Sequence, residues 1–280
     1  MLELAEGLRP PVLSALAELE RQAVAVDGGR LKLEWGVLRA RRTDVVQDLL
    51  WWEEDRLVGF LGLYAFGAPD VELAGAVHPD FRRRGIASAL LDAALPLCRD
   101  CRYEQILLVV PRSSIAGRAL ARRSGANLDH SEHALVLADA PDAWTREPRI
   151  TVRAAAAPDL STVSRLLADA FGRSSTVTLD GSEQLLVVEL DGDVVGCLRV
   201  STDHDGAGIY GFAVERSLRG RGIGREVLRR VCADLIAEGA PRVGLEVAVD
   251  NDRALGLYTS IGFTRVTTED YYALPSATGV

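Results

Sequence analysis

Two glycine-rich turns hold the residues of this sequence that are best suited to bind an anion. One turn runs from Arg219 to Gly224 with the sequence RGRGIG, and the other runs from Arg82 to Ala87 with the sequence RRRGIA. Each turn follows an apolar run typical of a strand and precedes an amphipathic pattern typical of a helix. The unpaired N–H groups and the dipole at the start of a helix bind phosphate well, and glycine lets a phosphate reach the backbone without a side chain in the way. The alternative is a tight turn whose arginines are merely solvated.

The two turns belong to an internal repeat with a constant spacing. Gly222 lies 137 residues after Gly85, and the same offset joins Val77 to Val214. A register that is kept from a strand through a turn predicts two copies of one fold. Before Leu49 the offset fails, so the repeat does not place the start of the first copy.

Hydrophobic periodicity predicts a similar alternation of strands and helices in both copies. In the second copy it predicts strands over 148–153, 183–189, 193–200, 208–214 and 242–249, helices over 159–171, 225–238 and 252–260, and two closing strands between 263 and 274. In the first copy it predicts a helix over 11–24 and strands over 49–52, 57–64, 71–77, 106–110 and 134–137. This order is typical of an α/β fold in which helices flank a mixed, mostly antiparallel sheet. The 280 residues suit two such domains, over 1–140 and 148–280, joined by a proline-containing linker.

The turns resemble a cofactor loop of one enzyme superfamily. They lack the three glycines of a dinucleotide fingerprint and the Lys-Ser/Thr pair of a Walker loop. Both resemble the coenzyme A pyrophosphate loop of the GNAT superfamily of N-acetyltransferases, in which Gln or Arg is followed by two residues, Gly, one residue, and Gly or Ala. The segment NDRALGLYTSIGF, from Asn251 to Phe263, resembles a second motif of that superfamily. The resemblance covers about Leu49 to Leu274, and the tandem layout is similar to that of mycothiol synthases, although the match is at superfamily level.

The resemblance assigns roles to individual residues. It implies acetyl-CoA as the co-substrate, held by Ala213, Val214, Arg219, Gly220, Arg221, Gly222, Ile223, Gly224 and Asn251 in the second copy and by Arg82, Gly85 and Ala87 in the first. It implies that Tyr258 protonates the departing thiolate, and that Glu246, as in ribosomal-protein alanine acetyltransferases, accepts the proton of the amine. Each role has a structural alternative: Tyr258 can be a core residue, Asn251 a helix N-cap, and Glu246 a residue of a solvated strand face.

The two copies differ at these chemical positions. The 137-residue offset maps Glu246 to Val109, Tyr258 to Ala121 and Asn251 to Ser114. Glu72 is a conceivable base in the first copy, but no acid accompanies it. We therefore expect a non-catalytic first domain, which either binds coenzyme A without turnover or only shapes the acceptor site.

Composition restricts the partners. The net charge of −8 argues against nucleic acid, because phosphate backbones attract basic surfaces. No apolar stretch approaches the ~20 residues that span a bilayer and no signal peptide is evident, so we expect a cytoplasmic protein without a membrane partner. Four cysteines with a single CxxC, at Cys98 and Cys101, favour free thiols over a redox pair and predict no metal site.

These features predict an enzyme that transfers an acetyl group from acetyl-CoA to an amine of a small molecule or peptide, with catalysis in the second domain. We expect a monomer in which the tandem domains replace the two subunits of a GNAT dimer. Two alternatives stay open: transfer of a longer acyl group, and a non-catalytic sensor or scaffold that binds acyl-CoA. A pure binder would need neither Tyr258 nor Glu246.

Overall fold

The computed structural model describes residues 1–42, 44–66, 69–172, 177, 179, 183–203 and 205–275. Contacts divide the chain into two compact units, one formed by Met1–Glu132 together with Thr267–Val280 and the other by His133–Val266. The expected domains, 1–140 and 148–280, differ from these units mainly in the last segment of the chain.

The first unit contains the expected strands over 49–52, 57–64, 71–77 and 106–110, whereas the strand expected over 134–137 is the end of β6 and belongs to the second unit. It also contains three elements that the periodicity does not predict, β1, α2 and α4. Its elements are β1 (Leu2–Glu6), α1 (Pro10–Asp27), α2 (Trp35–Arg39), β2 (Val46–Glu53), β3 (Arg56–Tyr64), β4 (Asp70–Val77), α3 (Ile86–Asp100), β5 (Gln105–Pro111), α4 (Ile115–Arg123) and the start of β6 (Asn127–Leu137). Strands β1 to β4 pair antiparallel in sequence order, and β4 pairs parallel with β5.

The second unit repeats this order. It contains the end of β6, then β7 (Ile150–Ala154), α5 (Leu160–Phe171), β8 (Gln184–Leu190), β9 (Asp193–Asp203), β10 (Gly206–Val214), α6 (Ile223–Ala237), β11 (Val243–Ala248), α7 (Asp252–Thr259) and the start of β12 (Thr264–Ala273). Strands β7 to β10 pair antiparallel, and β10 pairs parallel with β11. Each unit is thus a mixed, mostly antiparallel sheet flanked by helices, which confirms the predicted fold class.

One continuous strand replaces the two closing strands expected between 263 and 274. No glycine or proline interrupts β12 from Thr264 to Ala273, so nothing in this segment favours a turn. From Glu269 to Ala273 the strand pairs antiparallel with β5, where Tyr271 lies opposite Val109. This pairing places the end of the chain in the first unit.

Helices cover both faces of each sheet. In the first unit, Leu16 and Leu19 of α1 pack in one core, and Leu90 of α3 packs in the other. In the second unit, α6 covers the core that holds Val227, whereas α5 covers the core that holds Leu166. Each fully buried leucine contributes roughly 1.5–3 kcal/mol, so this packing holds the turn between β10 and α6 on a rigid base.

Candidate active site

The second glycine-rich turn has the geometry of an anion cradle. Gly220 and Gly222 both adopt left-handed conformations, with φ of 82° and 84°, which favour glycine. Gly222 is the N-cap of α6, and a Cβ added there would meet no atom within 4 Å. Ile223, the first residue of the helix, is 4 % exposed and anchors the turn to the core. The backbone at Gly222 is therefore open to a ligand, at the point where the helix begins with unpaired N–H groups.

Gly224 serves packing rather than the approach of a ligand. A Cβ at this position would lie 3.3 Å from Leu257 of α7 and 3.6 Å from Phe212 of β10. The small residue lets α6 begin close to both elements. Ala87 occupies the corresponding place in the first copy, 137 residues earlier.

Three exposed arginines surround the turn. The Nε of Arg219 donates a hydrogen bond of 2.8 Å to the carbonyl of Val214, and within the described part of the chain its other guanidinium nitrogens have no partner. Arg221 lies within the turn itself. The Nη2 of Arg253, in the first turn of α7, is 3.2 Å from where a Cβ on Gly220 would be. Sequence reasoning gave Arg253 no role, although it lies in the recognised segment; its charge suits it to the same anion.

Strands β10 and β11 diverge beside this turn. Their parallel register joins Ala207–Ile209 to Val243–Leu245, so Ala213 and Val214 lie beyond it and pair only with β9. Between Tyr210 and Ala213 the strand β10 advances three residues while β9 advances two, from Arg199 to Cys197, which is a β-bulge. The bulge contains Gly211, with a φ of 56°. A glycine inside a strand pattern is a signal for such a bulge, and sequence reasoning did not use it.

Tyr258 combines a core position with an unused hydroxyl. The residue is 9 % exposed, and its ring packs edge-on against Phe263 with 6.0 Å between centroids. Burial raises the pKa of Tyr258 to about 12, so the phenol keeps its proton at neutral pH. No described residue forms a hydrogen bond with this hydroxyl. The ring of Tyr258 therefore packs as a core residue, whereas its hydroxyl is available as a proton donor.

Asn251 is the N-cap of α7, as its structural alternative predicts. Its Oδ1 accepts a hydrogen bond of 3.1 Å from the backbone N–H of Ala254. The cap uses the carbonyl side of the amide and leaves the Nδ2 side free of that bond. Asn251 can therefore cap the helix that carries Tyr258 and donate to a ligand at the same time.

Glu246 follows Leu245, the last residue of β11 that pairs with β10, and its side chain points away from the core that contains Tyr258. Its neighbours Leu245 and Val247 are buried in the core that contains Tyr258, and successive side chains of a strand point to opposite faces. Glu246 is half-buried. The structure therefore does not bring the acid and base candidates to one face.

The first unit repeats the backbone of this turn but has different residues at the positions of Tyr258 and Glu246. Gly85 has a φ of 84° and, like Gly222, open space around a Cβ. The Nε of Arg82 donates 3.1 Å to the carbonyl of Val77, as Arg219 does to Val214. At the acid and base positions, however, Ala121 is completely buried and Val109 is 6 % exposed.

The cysteines and the possible metal ligands can be described separately from this site. All four cysteines are free thiols, and Cys98 is buried, which raises its pKa to about 11, whereas Cys101 is exposed. Across the described ranges, no cluster of His, Cys, Asp and Glu is suited to hold a metal ion. Nor does any helix in those ranges have the length and apolarity to cross a membrane.

Comparisons with known proteins identify the family of this chain. The model of the acetyltransferase (GNAT) family matches residues 14–126 and 144–263. A mycothiol acetyltransferase from Kytococcus sedentarius is 28 % identical over 300 residues and covers 96 % of both chains.

Two solved structures share the fold over nearly their whole length. A GCN5-related N-acetyltransferase from Sphaerobacter thermophilus has a TM-score of 0.79 at 19 % identity, with 100 % of this chain and 98 % of that chain covered. A tandem GNAT protein from the clavulanic acid biosynthesis pathway has a TM-score of 0.66 at 20 % identity, with 99 % and 100 % covered. Two matches to the family model, one per copy and together most of the sequence, show that this chain belongs to the GNAT family of acetyltransferases.

Proposed function

We propose that the second unit transfers an acetyl group from acetyl-CoA to an amine of a small molecule or peptide. One observation carries the proposal: the open cradle at Gly222, the diverging strands β10 and β11, and the unpartnered hydroxyl of Tyr258 occur in the same unit. A protein that only binds acyl-CoA would need the cradle but no proton donor. The first unit keeps a turn of the same shape and lacks that donor.

The cradle would hold the diphosphate of acetyl-CoA. The N–H groups at the start of α6 and the side chains of Arg219, Arg221 and Arg253 supply donors and positive charge. Ala213 and Val214, beyond the parallel register, supply backbone groups for the pantetheine arm and for the thioester oxygen as it becomes an oxyanion.

Glu246 and Tyr258 would move two of the protons of the reaction. Glu246 accepts the proton of the substrate ammonium, so that the free amine can attack the thioester carbonyl. A C–N bond forms, the nitrogen releases a second proton to solvent, and the C–S bond breaks as the tetrahedral intermediate collapses. Tyr258 donates its phenolic proton to the departing thiolate and regains one from solvent. Its raised pKa, about 12, keeps that proton in place until the thiolate appears.

The name of one relative indicates which class of acceptor amine to test first. One relative is named as a mycothiol acetyltransferase, so a mycothiol-type acceptor belongs in the first panel of substrates. Small amines, aminoglycosides and peptides with a free N-terminus complete the panel. We propose that the protein acts as a monomer with one working site.

The test is the release of free coenzyme A thiol from acetyl-CoA with each acceptor. We expect turnover with at least one class, and loss of that turnover in Tyr258→Phe but not in Tyr103→Phe, a tyrosine of the first unit. Tight binding of acetyl-CoA without turnover for any class would favour an acyl-CoA sensor. Greater turnover with a longer acyl-CoA would reassign the donor.

A further inference from the structure

A carboxylate from α1 lies beside the glycine-rich turn of the first unit, and we call the place between this turn and the start of α4 the first cleft. Asp27, the last residue of α1, accepts two hydrogen bonds from the guanidinium of Arg82, at 2.8 and 3.1 Å. It also accepts one of 2.8 Å from the hydroxyl of Ser114. The side chains of Arg82 and Asp27 are 20 % and 14 % exposed, and Ser114 is 5 % exposed. Asp27 therefore bridges the turn before α3 and the cap of α4.

The two partners of Asp27 are the counterparts of two cofactor-binding candidates. The 137-residue offset maps Arg82 to Arg219 and Ser114 to Asn251. In the second unit the Nη nitrogens of Arg219 have no partner in the described ranges, whereas in the first unit they are bound to Asp27. The internal carboxylate uses the donors that would otherwise meet the cofactor.

The residues after Asp27 keep the carboxylate in this position. The hydroxyl of Ser113 donates to the carbonyl of Gly28 at 3.4 Å. Gly29, with a φ of 70°, passes so close to Thr267 that a Cβ would lie 2.7 Å from its Oγ1. Gly28 and Gly29 therefore pass close to Ser113, just after β5, and to Thr267. Because Asp27 also ends α1, the negative end of that helix dipole adds to its charge, and both repel a phosphate.

Strand β4 shows a second difference between the units. Its register with β3 is regular from Gly59↔Val77 to Tyr64↔Glu72, whereas β10 contains the bulge at Gly211. A bulge frees backbone groups of one strand from the ladder. The first unit thus lacks the irregularity that opens the strand beside the cradle of the second.

We infer that Asp27 is an internal latch, which closes the first cleft against acetyl-CoA and limits each chain to one bound cofactor. This rests on the proposed function of the second unit and decides between the two roles expected for the first. The first turn keeps the shape of the second, but the side chains of Arg82 and Ser114 are hydrogen-bonded to Asp27 of the same chain. Removal of the Asp27 carboxylate frees Arg82 and leaves a second, latent site.

Calorimetric titration with acetyl-CoA tests the latch. We expect one bound cofactor per wild-type chain and a second, weaker event in Asp27→Ala, which disappears again when Gly85→Asp is added. Asp44→Ala is the matched control, because it breaks an exposed ion pair with Arg42 in the same unit; it should add no event. Asp27→Asn, which keeps the shape of the side chain, replaces Asp27→Ala if the latter fails to fold.

Two results would overturn the latch. Two wild-type events, one of which is lost in Gly85→Asp, would mean that the cleft is open despite Asp27. A single event in folded Asp27→Ala and Asp27→Asn would mean that Asp27 is not the barrier. Failure of the proposed function gives a different result, namely the absence of binding that depends on Gly222, and the gain in Asp27→Ala can be scored independently of it.

Discussion

Tyr258 and Glu246 depend on different kinds of local support. Tyr258 has a packed ring, a capped helix and a pKa raised to about 12, and the motif around it made the residue recognisable in the sequence. The position of Glu246 follows from strand alternation, which predicts its face but not its neighbours. Asp27 and Arg253 were beyond sequence reasoning, since their roles depend on contacts with distant segments: Asp27 meets Arg82, 55 residues away.

Tyr258→Phe isolates the proton donor. The change keeps the ring packing and removes a hydroxyl without a described partner, so the melting temperature should stay the same. The turnover number should fall by about 10²–10⁴, which corresponds to about 3–5 kcal/mol of barrier. Acetyl-CoA affinity should remain near wild type, because the hydroxyl acts in the transition state.

Since a phenol with a pKa of about 12 stays protonated, wild-type turnover should show no loss through Tyr258 up to about pH 10. Unchanged turnover in the variant, with chemistry rate-limiting, would remove Tyr258 from the mechanism.

Glu246→Gln tests the base. Turnover at neutral pH should decrease by about 10²-fold or more and partly recover as the pH rises, because more of the amine is then already deprotonated. Glu238→Gln, an exposed change at the end of α6, is the control and should leave the pH–rate profile unchanged. A profile for Glu246→Gln parallel to that of wild type at every pH would assign the proton transfer to another group.

At the scale of elements, the bulge in β10 and the turn before α6 form the backbone of the proposed site. Local periodicity predicted most helices and strands because each carries its own pattern of buried residues. It missed α4, and it missed β1 and α2, which lie before Leu49, where the repeat gives no second copy for comparison. It also missed the bulge at Gly211, because a bulge is a property of two paired strands rather than of one.

Gly211→Ala tests the bulge. Alanine in the left-handed conformation costs about 1–2 kcal/mol, and its Cβ would lie 3.3 Å from the Nε of Arg199 and 3.4 Å from Leu167. We expect a loss of stability of this size in chemical denaturation, with reduced turnover in the folded variant. Gly256→Ala, on the exposed face of α7 with open space around it, should instead stabilise by about 0.4–1 kcal/mol. If Gly211→Ala were as stable and active as wild type, the bulge would not matter.

At the scale of the whole molecule, the last strand decides how the chain divides into units. The repeat predicted two copies, but it assigned residues up to 274 to the second. Strand β12 instead pairs with β5, and the residues from Thr267 onward belong to the first unit. The hydrophobic pattern of a strand specifies which face is buried but not which of several edges it joins, so this partner could not be read from the sequence.

A chain that ends at Val266 tests this division. It lacks Tyr271 and Leu274, which are buried in the cores of the first unit, and loss of a large buried aromatic alone costs about 3–5 kcal/mol. Three tryptophans, Trp35, Trp51 and Trp52, lie in the first unit and Trp144 lies in the second. Two variants, each with tryptophan in only one unit and Phe at the other positions, let tryptophan fluorescence report the unfolding of one unit at a time. Thermal unfolding of the first unit should shift to lower temperature in the shortened chain. An unchanged transition in the first unit would contradict the role of β12.

The central claim is that acetyl-CoA binds at the second glycine-rich turn, and a pair of matched substitutions tests it most directly. Gly222 and Gly85 have nearly the same backbone geometry, with φ 84° and ψ −8° against φ 84° and ψ −6°, and both have open space around a Cβ. Gly222→Asp and Gly85→Asp therefore impose the same strain and the same charge. Calorimetry with acetyl-CoA should show at least a tenfold weaker affinity for Gly222→Asp, about 1.4 kcal/mol or more, and wild-type affinity for Gly85→Asp. The reverse pattern, weakened binding in Gly85→Asp and wild-type binding in Gly222→Asp, would contradict the account.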